Sequence, residues 1–95
     1  MPTFVTLTNF TDLGIKNIKD SPERMQLFKS TAEKMGVKIK DVWYTVGSYD
    51  LVAITEGTGE AVTGLLLKMG SMGNVRTQTL RGFTPDEFKK IVATI

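Results

Sequence analysis

The chain has 95 residues, with 12 Lys and Arg against 10 Asp and Glu, no His and no Cys, for a formal net charge of +2. That length makes one small domain with a modest core. The two missing residue types exclude disulfides, thiolate nucleophiles, zinc fingers and every His-based triad or general base, leaving carboxylate, hydroxyl, amine, guanidinium and backbone chemistry.

Thr3 to Asn9 alternate through β-branched and apolar residues and predict a strand. The pattern breaks at Phe10–Gly14, where Thr11 is placed to cap a short helical turn. Ser21, Pro22 and Glu23 supply a capping hydroxyl, a preset φ and a negative charge at a helix start. Leu27, Phe28, Thr31, Ala32 and Met35 then share one helical face, and Gly36 ends the helix. Val37 to Val46 read as a second strand with a change of phase: Val37 and Ile39 have one parity, Val42, Tyr44 and Val46 the other. A β-bulge near Lys40 and Asp41 reconciles them.

Gly47-Ser48-Tyr49-Asp50 is a turn sequence, and Leu51 to Thr55 a third strand, together making a hairpin. Thr58 is placed to cap a second long helix whose apolar positions are Ala61, Val62, Leu65, Leu66 and Met69. Gly70-Ser71-Met72-Gly73 ends it, and Asn74 to Arg81 read as a fourth strand. Thr84-Pro85-Asp86-Glu87 is a capping box, with Phe83 and Phe88 placed as a hydrophobic staple. Phe88, Ile91, Val92 and Ile95 are the expected buried stripe of a short last helix.

The order βαββαβ plus a C-terminal helix predicts an α+β fold, a single ferredoxin-like domain over residues 1–95 with a four-stranded antiparallel sheet and helices on one face. In that plan the first and third strands are central. Both carry apolar residues at both parities: Phe4 against Val5 and Leu7, Leu51 and Ala53 against Val52 and Ile54. The helices cover one face only, so the expected cover for the other is a second copy, a homodimer or higher homo-oligomer.

Several segments together resemble the GYD domain family: Phe4 to Asp12 followed by Gly14, Lys19-Asp-Ser-Pro22, Gly47-Ser-Tyr-Asp50, and Gly70 to Arg81 leading into Phe83-Thr84. The resemblance spans essentially the whole chain and implies small bacterial or archaeal proteins of the dimeric α+β barrel type. It implies no reaction, because the family is uncharacterised in function.

Residue chemistry nominates Asn9, Thr11, Tyr49, Asp50 and Arg76 as ligand-binding candidates, with no catalytic residue assigned, no metal and no cofactor. Tyr49 and Asp50 sit at a sheet end, where a phenol and a carboxylate bind a polar ligand or form an acid/base pair; the structural alternative is a hairpin turn with Tyr49 packed on the sheet. Arg76 suits a carboxylate ligand or Asp50 itself. Arg76 and Arg81, five apart, project from opposite faces of a regular strand. Thr6, Thr8, Thr77 and Thr79 alternate on neighbouring strands, either lining a polar cavity inside a dimer or serving as good strand formers.

Two functions remain open: a binding or sensing module holding a small ligand at the sheet or dimer interface, and a cofactor-independent enzyme using Tyr49, Asp50 and Arg76. Nucleic acid is not an expected partner, since the lysines are scattered and Leu51–Thr55 lacks stacking aromatics. No membrane association is expected, the longest leucine run being Leu65–Leu67, and without a signal-like N-terminus the expected compartment is the cytoplasm.

Overall fold

The computed structural model describes residues 1–95 and has the expected element order. Strand β1 (Thr3–Phe10) leads through a short helix α1 (Asp12–Lys16) and a 3-10 turn (Ile18–Asp20) into α2 (Ser21–Lys34). Strands β2 (Lys38–Tyr44) and β3 (Leu51–Glu56) form the hairpin, followed by α3 (Gly59–Ser71), β4 (Val75–Gly82) and α4 (Pro85–Val92). The strands pair antiparallel in the order β2-β3-β1-β4, so β1 and β3 are central. The bulge lies between Ile39 and Asp41, where the parity change required it.

Helices α2 and α3 cover one face. A core of Ala32, Val37, Val62 and Leu65 sits beneath them, with Phe4, Phe28, Met35 and Ile39 packed around it. Gly36, at φ 75°, takes the left-handed conformation that stops α2 and turns the chain into β2. The caps at Thr11 and Thr58 form as the sequence predicts, accepting from Gly14 N–H and Ala61 N–H. Ser21 does not cap. The 3-10 turn runs straight into α2, Asp20 occupies the cap position without a side-chain bond, and the Ser21 hydroxyl instead pairs with the Tyr44 hydroxyl at 2.9 Å.

A joint near the end of β1 locks the first βα unit to the start of β4. Thr11 N–H donates to Asn74 O at 3.0 Å, and the Thr11 hydroxyl donates to Gly73 O at 2.6 Å. Gly14 is buried against the same backbone: a Cβ there would overlap Asn74 O. Arg24 holds the joint from outside, donating to Asn17 O and Gly14 O.

Helix α4 departs from expectation. Its capping box is complete, with Thr84 N–H bonded to Glu87 Oε1 and Glu87 N–H to Thr84 Oγ1. Its apolar stripe is exposed, however: Phe88 is 57% accessible and Val92 49%, and the helix has no substantial packing on any other element. The molecule is correspondingly long, 49 × 31 × 18 Å, with a radius of gyration of 14.4 Å against about 12 Å for a compact domain of this length.

Two measurements check these features. Gly14→Ala drives a methyl group into a backbone carbonyl that cannot move aside, and should destabilise by about 2–3 kcal/mol, lowering Tm by about 10 °C or more. The bond from Thr84 N–H holds the Glu87 carboxyl below its usual range. Its capping contribution is therefore present above the ordinary carboxylate range and is lost as pH falls through the lowered value. The Thr84 amide resonance should follow that titration, and Glu87→Gln should leave it flat.

Candidate functional site

The sheet has two faces of different character. On β1, Phe4, Thr6, Thr8 and Phe10 point to the helices, and Val5, Leu7 and Asn9 to the open face. On β3, Ala53 and Thr55 are buried under the helices, whereas Val52 and Ile54 share the open face with Trp43 and Leu80. Trp43 is 63% accessible and Leu80 46%, so this face is apolar and uncovered. Trp43 and Tyr44 diverge as alternation demands: Tyr44 reaches Ser21 on the helix side.

The polar candidates gather at one end of the open face. Asn9 is paired across the ladder with Arg76, and Leu7 beside them with Gln78. The β2–β3 loop carries Tyr49 over this corner, where its hydroxyl donates to Gln78 Oε1 at 3.0 Å. Gln78 is a residue sequence reasoning missed, since only the strand register brings it beside the loop. Arg76 is exposed and forms no ion pair; the single salt bridge of the chain is Lys40 with Glu56 at 3.4 Å. The proposed pairing of Arg76 with Asp50 is therefore not formed.

Asp50 and Thr11 are occupied by the backbone. The β1–β3 ladder stops at Thr8 and Leu51; beyond it Asp50 N–H donates to Thr8 O at 2.8 Å and Asp50 Oδ2 accepts from Phe10 N–H at 2.9 Å. A side chain thus continues the ladder where the strand has ended. Thr45 closes the loop, with N–H to Asp50 O and its hydroxyl to Tyr49 O. This arrangement fixes where Tyr49 is presented. Arg81 lies on the other face of β4, its guanidinium 4.3 Å from the Phe83 ring centroid and bonded to Thr3 O.

The threonines differ from expectation. Thr6 pairs with Thr79 and Thr8 with Thr77, but all four face the helices, away from the surface a second sheet would cover. Thr6, Thr8 and Thr77 line a cavity of about 80 Å³ between the sheet and α2 and α3. The hydroxyls of Thr6 and Thr55 are buried with no hydrogen-bond partner.

These positions make opposite predictions. A buried unpaired hydroxyl costs about 1–3 kcal/mol, so Thr6→Val should raise Tm by about 5 °C. Thr11→Val, which strands Gly73 O and Gly14 N–H, should lower it by a similar amount or more. Thermal unfolding of the two variants beside the native chain checks both signs.

Comparison with known proteins places these features. A family model described as the GYD domain matches residues 4–92. A protein of Thermus thermophilus named glutamine synthetase and cystathionine beta-lyase binding protein is 34% identical over 82 residues, covering 84% of this chain and 86% of that one. Among solved structures, a feast or famine regulatory protein of M. tuberculosis complexed with L-methionine superposes with a TM-score of 0.64 at 15% identity, over 88% of this chain and 51% of that one. The chain thus spans about half the length of the mycobacterial regulator. A crystal structure of FFRP-DM1 matches with a TM-score of 0.62 at 19% identity, over 87% of this chain and all of that one. Those two likenesses establish the shared ferredoxin-like fold. No helix is long and apolar enough to cross a membrane. With a family match running almost from end to end, the chain belongs to the GYD domain family.

Proposed function

We propose that the chain is the protomer of a cytoplasmic homodimeric binding module. Two copies pack their open sheet faces together, and the corner formed by Asn9, Tyr49, Gln78 and Arg76 receives a small carboxylate-bearing ligand at the rim. The observation that carries this reading is surface area. The chain exposes 6463 Å², about 1,000 Å² more than the roughly 5,400 Å² expected of a monomer of its mass. A standard interface buries about 800 Å² per partner, so the excess is the size of one interface. Trp43 and Leu80 on the open face, and Phe88, Ile91 and Val92 on α4, are uncovered apolar residues that such an interface would take in.

Arg76 supports the rim site, because an exposed guanidinium without a carboxylate partner is suited to bidentate recognition of one. The catalytic alternative has less support. Asp50 spends Oδ2 on Phe10 N–H and Tyr49 spends its hydroxyl proton on Gln78, which leaves neither poised on a substrate. A second reading is favoured by the name of the Thermus relative, a binding protein for two enzymes: the apolar surface then takes an enzyme as its partner.

Light scattering at about 10 µM separates these readings. A dimer has twice the 10.5 kDa chain mass, and Leu80→Arg with Trp43→Arg should weaken it at least 100-fold. A native chain of monomer mass removes the dimer and leaves the surface for a protein partner. For the rim, a thermal-shift panel of small carboxylates should yield hits that Arg76→Ala abolishes without dissociating the dimer; hits indifferent to Arg76 remove that site.

A further inference from the structure

The cavity under the helices belongs to neither reading. It lies on the opposite face of β1 from the rim corner, so its occupation does not depend on a second copy. Ala53, Met25, Phe28, Leu66 and Met69 are among its apolar lining residues, and Thr6, which is 3% accessible, lines it with a hydroxyl that has no partner. The cavity opens to solvent past Leu27, Tyr44, Met72 and Thr77 and closes at Thr6 and Ala53. An unpartnered hydroxyl at that closed end is unusual, because buried hydroxyls nearly always find a partner.

We propose that this cavity is a binding site for a small, neutral, mostly apolar molecule with one hydrogen-bond acceptor, such as a carbonyl or ether oxygen, that receives the Thr6 hydroxyl proton. Size sets the first limit. A cavity of about 150 Å³ engineered in another protein takes benzene, with six non-hydrogen atoms, so about 80 Å³ scales to a body of about three to four non-hydrogen atoms. Three methionines in the wall, Met25, Met69 and Met72, allow that volume to adjust.

Charge sets the second limit. The one ionisable cation at the cavity, Arg24, donates to Asn17 O and Gly14 O, and no carboxylate lines the wall. A charged ligand would enter without a counterion, which an apolar wall strongly disfavours. Ser21 and Tyr44 satisfy each other. Of the remaining polar side chains at the wall, Thr8, Asn74, Thr77 and Thr6, Thr6 is the one whose hydroxyl is fully shielded from solvent and without a partner, which makes it the recognition group at the buried end.

The test uses amide NMR spectra of the full chain with acetone and, separately, xenon as probes. Both should shift the amides of cavity-lining residues, the ketone with a Kd of about millimolar, as its few atoms allow. Thr6→Val should keep xenon and weaken the ketone about fivefold, the worth of one neutral hydrogen bond. Thr77→Leu, an exposed position at the cavity wall where folding is not at risk, should fill the space and lose both probes. Ketone binding of equal strength in Thr6→Val assigns the hydroxyl to bound water and overturns the proposal. Shifts that miss the cavity, or that survive Thr77→Leu, overturn it equally.

Discussion

A sheet that is apolar on both faces, in a chain whose packed helices cover only one, is the constraint on which this molecule turns. Helices α2 and α3 complete the core above Thr6, Ala53 and Thr55. Below, Val5, Leu7, Val52 and Ile54 make a second, half-buried floor that neither α2 nor α3 covers. Burial of apolar surface is the main favourable term in folding a domain this small. The large accessible area and the elongated shape both express the same unfinished burial.

The segments that identify the family have mechanical reasons to be what they are. Thr11 and Gly14 lock the exit of β1 to the entry of β4, and any side chain at Gly14 meets the Asn74 carbonyl. In Gly47-Ser48-Tyr49-Asp50, the carboxylate acts as a substitute strand for Phe10 and so sets the path of the loop that carries Tyr49. These residues position a surface more than they perform chemistry on it. Their hydrogen bonds are local in space and distant in sequence, as a joint between two βα units requires.

Much of the architecture was legible in the residues. Alternation marked the strands, Thr11, Thr58 and Thr84 marked the helix starts, and the parity change between Ile39 and Val42 located the bulge. Which parity of β1 faces the helices was not legible. Valine and leucine are the more apolar choice, yet the threonines turn inward and Val5 and Leu7 outward. Threonine packs on a pleated surface much as valine does, so hydropathy alone cannot order the two faces when both are to be covered. The stripe of α4 misled for a related reason: helical periodicity shows that a face is apolar and is silent on whether its own chain covers it. Gln78 needed the register, a long-range property that no local pattern carries.

The exposed α4 also bears on how long such a protein lasts in a cell. An isolated helix of this length is marginal in water, and a capping box holds only its first turn. In an unpaired chain the last turns fray most readily, presenting Phe88, Ile91 and Val92 as a flexible apolar tail. Such tails are where proteases begin. If the proposed dimer covers this helix, its assembly sets the chain's turnover as well as its shape, with unpartnered copies cleared first.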